Sequence, residues 1–403
     1  MAFLLPSPVD PILDLMRRIY LDHAATTPPD PRVTEAMQPY FSSLFGNASS
    51  VHWYGQQAKQ GLEQARAAIA HYLGVESGEL VFTSGGTEAD NLAIRGVYHA
   101  SRKHGKTHLI TTAAEHHAVL DSCEALLEEG AEVTILPVDR NGRVNPDAVG
   151  GAITDHTCLV SVMHANNEVG TVSQLSAIAE QVHARGALLH ADAVQTFGKI
   201  PVNVQDLQVD LLSISAHKIY GPKGVGALYV KRGTELENLF WGGGQERGRR
   251  PGTENVAFAV GFAKAAEITI GGMAAESPRL RRLCERLTRN VRDAFPEVIL
   301  NGDAEERLPH ILNISFDADR LPLEGETIVL NMDLEGIAVS SGSACTSGSV
   351  QPSHVLLAMG RSPATVKATL RFSFGKSNTE EDVDAAIEVL TRVISRMRRR
   401  ITS

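Results

Sequence analysis

The sequence has few cysteines, little net charge and no long uninterrupted hydrophobic run. Four cysteines occur in 403 residues, at positions 123, 158, 284 and 345, and no two of them form a C-x-x-C pair. This spacing excludes a disulfide-built scaffold and a cysteine-rich metal site, and it predicts a reduced, cytoplasmic protein. The most apolar stretch, 256–275, carries Lys264 and Glu267 near its middle, so it predicts a buried helix and no membrane span.

The charge balance argues against a polyanionic partner. The formal net charge is −9, with 43% hydrophobic and 21% charged residues, which is ordinary globular usage. No general basic surface is expected, so nucleic acid is not an expected partner. The basic run 396–400 closes a predicted helix that acidic residues open, as a solvated helix end would. Prolines interrupt the N-terminal apolar residues, so no export signal is expected.

Periodicity predicts an α/β protein with two domains. Between about residues 60 and 270, short β-branched or apolar runs alternate with helical patterns, which indicates a large domain with a mostly parallel sheet. A helical stripe is expected to end at Gly74 in a left-handed cap. The expected strands of this domain are 80–82, 108–112, 132–137, 159–164, 187–190, 211–215 and 226–230.

Beyond residue 270 the pattern changes to that of a smaller α+β domain. A long charged helix is expected over 277–295, and a last helix begins with a capping box in the sequence TEED, residues 379–382. The predicted division is therefore an N-terminal segment packing with the small domain, a large domain and a small one, with the bounds 1–29, 30–270 and 271–403. Strands of the small domain are expected near 311–316, 337–340 and 369–374.

A lysine and an aspartate are expected at neighbouring strand ends. Lys218 follows the strand 211–215, and Asp192 follows the strand 187–190, with room between them for one crossover and one strand. A lone lysine is usually solvated, and a lone aspartate is usually a cap. Together, an amine and a facing carboxylate are what pyridoxal phosphate requires, as Schiff-base partner and as partner of the ring nitrogen.

The cofactor's phosphate needs a helix N-terminus with small or hydroxyl-bearing residues. The stretch Thr83–Asn91 follows a strand, contains Gly86 and Thr87, and opens a helix. Such a turn is a weak signal by itself. Ser215 and His217, which flank the lysine strand end, could supply two further donors.

Several segments together resemble the pyridoxal-phosphate-dependent cysteine desulfurases of the class V aminotransferase group. The resemblance runs nearly end to end, and it implies the aspartate aminotransferase-like fold type I. The segments that carry it are 20–28, 46–50, 83–91, 115–117, 166–170, 190–195, 213–218, 250–253, 340–347 and 370–373.

The resemblance implies roles for individual residues around the cofactor ring. Lys218 would bind the cofactor and move the substrate Cα proton, and His116 would stack on the ring. Gln195 would bond the phenolic oxygen, with Asn167 near that oxygen and the substrate carboxylate. Asp192 would keep the ring protonated.

The resemblance also implies how the phosphate and the substrate are held. The phosphate would be bound by Gly86, Thr87, Ser215 and His217, with Thr253 reaching in from a partner subunit, so a homodimer is expected. Arg371, in the second domain, would grip the carboxylate of L-cysteine in a bidentate fashion; taken alone, it would more often be a surface ion pair.

Cys345 distinguishes a desulfurase from other users of this cofactor. It lies in a glycine- and serine-rich stretch, 340–349, which predicts a mobile loop. By resemblance, its thiolate would take the sulfur of L-cysteine as a persulfide, release alanine and pass the sulfur to an acceptor such as an iron–sulfur scaffold protein. A class V aminotransferase, a lyase that prefers selenocysteine, and a cofactor-binding interaction protein without turnover stay open as alternatives.

Overall fold

The computed structural model of the protein describes residues 18–321, 323–341, 345–346, 349–350 and 352–402, and for 345–346, 349–350 and 400–402 it describes the backbone alone. The helices are α1 (Pro31–Met37), α2 (Pro39–Ser42), α3 (Trp53–Leu73), α4 (Gly86–Ser101), α5 (His117–Leu127), α6 (Pro146–Ala152), α7 (Leu175–His183), α8 (Val204–Leu207), α9 (Val256–Ala294), α10 (Gly325–Leu334), α11 (His354–Ala358), α12 (Pro363–Lys367) and α13 (Glu380–Thr402). The strands are β1 (Ile19–Tyr20), β2 (Leu80–Thr83), β3 (His108–Thr112), β4 (Glu132–Leu136), β5 (Thr157–Ser161), β6 (Leu188–Asp192), β7 (Leu211–Ser215), β8 (Gly226–Val230), β9 (Val298–Asn301), β10 (Ile311–Phe316), β11 (Ile337–Ala338), β12 (Cys345–Thr346), β13 (Ser349–Val350) and β14 (Thr369–Ser373).

A seven-stranded sheet organises the larger part of the fold. Its order is β2-β8-β7-β6-β5-β3-β4, and within it β8 runs antiparallel to both of its neighbours. The strands are apolar on both faces: Leu109 and Leu211 face one buried cluster with α4 and α5, while Ile110 and Leu212 face the other, with α3 and α7. Helices therefore cover both faces, as expected for a mostly parallel sheet.

A third buried cluster surrounds the three-stranded antiparallel sheet β14-β10-β9. It contains residues of α10 and α13, together with Ile19 and Leu21 from the N-terminal segment. That segment is fixed by the pairing of β1 with β11. The capping box that the sequence predicts is present, because Thr379 and Asp382 each accept the other's backbone N–H through their side chains. The domain bounds at 29 and 270 stay a prediction.

The long helix α9 differs from the two separate helices that the sequence predicted over 256–275 and 277–295. It is continuous through Pro278, although a proline removes one backbone hydrogen bond. Its first part, with Phe262, packs in the large-sheet core, and its second part, with Leu283, packs in the small-sheet core. The two halves of α9 are thus each held by packing in a separate core. Among the described helices α9 is long and apolar enough to cross a membrane, by length and composition only; its first half packs against α3 as a core helix.

Leu390→Ala should destabilise the protein far more than Leu334→Ala. Leu390 is fully buried in the small-sheet core, whereas Leu334 is 77% exposed on α10. Removing a buried leucine side chain costs about 2–5 kcal/mol in the free energy of unfolding, because a cavity is left behind. Urea unfolding measures the difference, and equal effects of the two substitutions would contradict this packing.

Candidate active site

The carboxyl ends of β5, β6 and β7 open into one cleft of about 910 Å³. In parallel sheets this edge is where ligands bind. Ten of the twelve site residues predicted from the sequence line it, although their roles stay predictions. They are Gly86, Thr87, His116, Asn167, Asp192, Gln195, Ser215, His217, Lys218 and Arg371.

Lys218 places a half-buried amine in the cleft. A one-turn 3₁₀ helix, Ala216–Lys218, follows β7 and turns the side chain toward the N-terminal segment. The Nζ atom donates to the carbonyl oxygens of Ala24, at 2.7 Å, and Ala25, at 2.8 Å. Burial, and secondarily the charge of Arg371, lowers the pKa of Lys218 to about 8. The amine is therefore a partly neutral nucleophile near neutral pH.

Asp192 is the last residue of β6. The strand ends two residues later than the sequence predicted, so Asp192 lies within it and does not follow it. Its Oδ1 accepts from the backbone N–H of Val194 at 2.9 Å. Burial raises the pKa of Asp192, while the positive charges of His116 and Lys218 act in the opposite direction. A cationic group beside this carboxyl would favour its ionised form further.

His116 is held in one orientation as the N-cap of α5. Its Nδ1 accepts from the backbone N–H of Ala118 at 3.1 Å, which leaves the ring proton on Nε2 when the ring is neutral. Burial lowers the pKa of His116. Gln195 is oriented by its Nε2, which donates to the carbonyl oxygen of Ala24 at 2.9 Å.

The turn between β2 and α4 has the features of an anion cradle. Gly85 is the N-cap of α4 and supplies no side-chain acceptor, so the first amides of the helix are available to a ligand. A Cβ at Gly86 would lie 2.7 Å from Val194, so only glycine packs here without a shift. The buried Ser215 Oγ has no hydrogen-bond partner among the described groups. A phosphate would satisfy this hydroxyl.

His217 would bind a phosphate as a neutral hydrogen-bonding group. Its Nδ1 lies 3.1 Å from Thr26 Oγ1. Burial, then the charges of Lys218 and Lys223, lowers the pKa of His217 to about 4. With Lys218, Asp192 and the cradle at one cleft, the donor set fits pyridoxal phosphate.

Arg371 is already engaged on its own chain. Its Nη2 donates to Asp22 Oδ1 at 2.8 Å, and its Nη1 donates to the carbonyl oxygen of Asn167 at 3.0 Å. The side chain is 7% exposed, so it is not a surface ion pair, and its buried Nε has no partner in the described contacts. A substrate carboxylate would therefore meet a guanidinium already held in position.

Two predicted site residues are not among the described residues that line the cleft. Thr253 is exposed and does not line the cleft of its own chain. The side chain of Cys345 lies outside the described residues; its backbone pairs, in β12, with β13. On either side of this stretch, Ser340 and Pro352 line the cleft. The predicted mobility of the stretch stays a prediction.

Two buried carboxyl groups near Asp192 were not identified from the sequence. Glu115 Oε1 accepts from Thr112 Oγ1 at 2.7 Å and from the backbone N–H of Met163 at 3.0 Å, and burial raises its pKa to about 8. Asp90 lines the cleft, and burial followed by the charge of Asp192 raises its pKa. Both lie in segments that carry the family resemblance, and that resemblance was the signal from which they could have been identified.

Comparisons with known proteins agree on one family. A family model described as aminotransferase class-V matches residues 19–386. The cysteine desulfurase IscS of Dictyoglomus turgidum is 47% identical over 384 residues, which cover 95% of this chain and 96% of that protein. A solved structure described as a NifS-like protein has a TM-score of 0.87 at 37% identity, covering 94% of this chain and 99% of the other. A structure of SspA in complex with cysteine has a TM-score of 0.78 at 35% identity, covering 88% and 98%. The predicted fold type is confirmed.

In the cofactor-free protein, Lys218 should react with an acylating reagent with a pH midpoint of about 8, instead of the value near 10.4 usual for lysine. Only the neutral amine reacts, so labelling should increase as pH rises through the midpoint. Arg371→Gln should move the midpoint upward, because the charge of Arg371 opposes protonation. Mass spectrometry of the Lys218 peptide measures the labelling, and a midpoint above 10 would contradict the burial of this amine.

Proposed function

We propose, since this chain belongs to the class-V aminotransferase family and to its pyridoxal-phosphate-dependent cysteine desulfurases, that it converts L-cysteine to L-alanine and takes up the sulfur as a persulfide on Cys345. The observation that carries this function is the amine of Lys218, held by two carbonyl oxygens in the same cleft as Asp192 and Arg371. These groups match the three needs of the reaction: a Schiff-base amine, a carboxylate for the ring nitrogen and a cation for the substrate carboxylate.

When bound, pyridoxal phosphate supplies an aldehyde that condenses with amines and a protonated ring that accepts an electron pair from the substrate Cα. Lys218 Nζ would hold the cofactor and would accept the Cα proton of the substrate as a general base. Its lowered pKa suits this work near neutral pH. Asp192 supplies the negative charge that keeps the ring protonated. His116 lines the cleft, its lowered pKa favours the neutral ring, and its Nε2 could exchange a proton there.

The sulfur step uses a thiolate of this chain. Cys345 Sγ attacks the substrate sulfur; the bond between that sulfur and the substrate Cβ breaks, its electron pair stays with carbon, and protonation gives alanine. The sum is L-cysteine plus a thiol giving L-alanine plus a persulfide, so no external oxidant is needed. Burial raises the pKa of Cys123 and Cys158 to about 12 and that of Cys284 to about 11, so these thiols are poor nucleophiles.

The enzyme works as a homodimer in the cytoplasm under this proposal, and Thr253 of each subunit completes the phosphate site of the other. Two facts support the dimer: Thr253 is exposed and absent from its own cleft, and Trp241 in the same segment is 90% exposed. The persulfide sulfur then passes to an acceptor protein for the assembly of iron–sulfur clusters or another thio-cofactor.

Cys345→Ala should abolish the formation of alanine and sulfide from L-cysteine, while the visible absorption of the bound cofactor persists. The thiol is needed for sulfur removal and not for cofactor binding. Cys284→Ala, which alters a buried thiol in the small-sheet core, is the control and should retain turnover. Normal turnover by Cys345→Ala would contradict the nucleophile, and amino transfer to a keto acid in place of sulfide release would favour an aminotransferase.

Arg371→Gln should raise the KM for L-cysteine by about ten- to a hundredfold, with a smaller effect on kcat. The substitution removes charged hydrogen bonds to the substrate carboxylate. Arg361→Gln is a matched control, because Arg361 is also partly buried but donates to Asn301 in the small sheet. Steady-state kinetics with both variants measure the effect, and an unchanged KM for Arg371→Gln would contradict the assigned role.

A further inference from the structure

The segment 242–253, called here the glycine arm, has an unusual backbone. Glu246 and Arg247 have φ angles of 47° and 56°, in the left-handed region that residues with a side chain rarely occupy. Gly248 and Gly252 continue with positive φ angles. Two consecutive non-glycine residues in this region persist only where surrounding contacts fix them.

The contacts that fix the arm converge on the carboxylate of Glu246. Arg66 of α3 donates to it in a bidentate fashion, from Nη1 at 2.6 Å and from Nη2 at 2.8 Å. The backbone N–H of Phe82 in β2 donates to the same carboxylate at 2.9 Å. Both charged side chains are nearly inaccessible, with 3% and 4% of their surface exposed. A carboxylate with three donors in a buried site is a strong anchor.

A second ion pair ties the arm to the phosphate cradle. Arg250 donates to both carboxylate oxygens of Glu88, at 2.8 Å and 3.2 Å, and Glu88 also accepts from the backbone N–H of Ser84. Glu88 directly follows Thr87 in the first turn of α4. The arm is therefore fixed to α3 and β2 through Glu246 and to the first turn of α4 through Arg250. Arg247 adds exposed contacts to Glu63 and to the carbonyl oxygen of Ser77.

Beyond these anchors the arm reaches outward. Thr253 lies three residues after Arg250, exposed and away from the cleft of its own chain. Phe240 and Trp241, just before the arm, are 52% and 90% exposed, which provides an apolar surface beside it. The anchored residues thus contact their own subunit, whereas Thr253, just before α9, is exposed to solvent.

We propose that Glu246 is a positioning residue for the cofactor site of the partner subunit, because its buried carboxylate fixes the arm that presents Thr253 across the dimer. This inference rests on the proposed function, in which Thr253 binds the partner's cofactor phosphate. Arg66 and Arg250 serve the same end as the partners of the two anchors. The consequence is that a substitution in one subunit weakens cofactor binding in the other.

Mixed dimers test the inference directly. Two chains with different affinity tags are co-expressed, and dimers that carry both tags are isolated. The reporting chain keeps Lys218, and the donor chain carries Lys218→Ala, with or without Glu246→Gln. Cofactor-free dimers are titrated with pyridoxal 5′-phosphate and reduced with borohydride, and the label on the Lys218 peptide gives the half-saturating concentration at the reporting site.

Glu246→Gln in the donor chain should raise that concentration about tenfold or more, comparable with Thr253→Ala in the donor, since a hydrogen bond to the phosphate is lost or misplaced. Glu129→Gln is the matched control: Glu129 also pairs with an arginine, Arg95 of α4, but makes no contact with the arm, and it should change nothing. Glu246→Gln in the reporting chain alone should have a smaller effect. Sedimentation checks that the dimer persists.

The outcomes separate the inference from the function on which it rests. If Thr253→Ala in the donor weakens binding and Glu246→Gln does not, the inference is wrong and the proposed function stands. If neither weakens binding, the cross-subunit role of Thr253 falls as well, and absence of label on Lys218 would overturn the cofactor assignment. Should Glu246→Gln fail to fold, Arg250→Gln in the donor decides, because it cuts the second anchor at a partly exposed pair.

Discussion

Hydrogen bonding of one half-buried lysine amine links the N-terminal segment to the cleft. An ammonium group taken out of water needs oxygen atoms in its place, and Lys218 obtains them from the backbone of Ala24 and Ala25. The N-terminal segment must therefore cross the strand ends of the large sheet. It is fixed on one side by Thr27, which donates to the carbonyl oxygen of His217, and on the other by the bridge between Asp22 and Ser373 of the small sheet. These two attachments hold the N-terminal segment in place beside the cleft.

The same burial affects the carboxyl groups on the other side of the cleft. Asp192, Asp90 and Glu115 are all buried, and burial raises the pKa of each. Three adjacent buried charges would repel one another strongly. Lys218 lies near Asp192, and its charge, together with that of His116 whenever the ring is protonated, acts against the rise in the pKa of Asp192. Asp192 therefore has cationic side chains that oppose the effect of its burial, and a cationic ring beside it would favour its ionised form further.

Features of the fold and the site that depend on side-chain type and on periodicity could be predicted from the sequence. The apolar strands and the spacing of Asp192 and Lys218 identified the sheet edge, because both depend on side-chain type. The carbonyl oxygens of Ala24 and Ala25 could not be predicted, since every residue carries one and only the tertiary fold decides which carbonyl meets the amine. The continuity of α9 through Pro278 also depends on the tertiary fold, because packing against two cores outweighs the tendency of a proline to break a helix. The pairing of Glu246 with Arg66, 180 residues apart, has no local signal at all.

The pair between Arg371 and Asp22 links substrate binding to the N-terminal segment. Asp22 is 20% exposed, so solvent screens its attraction to the guanidinium, and an incoming carboxylate can compete for the same N–H groups. Asn167 would still hold the guanidinium through its carbonyl oxygen. When the substrate carboxylate replaces that of Asp22, the buried charge of Arg371 stays paired with a negative charge throughout. Without Asp22, the guanidinium would be an unpaired buried cation before the substrate binds. Asp22, which stabilises Arg371 before the substrate arrives, belongs to the same N-terminal segment as the carbonyl oxygens that bind the Lys218 amine. The carboxylate and the amine of the substrate would therefore both act on this one segment.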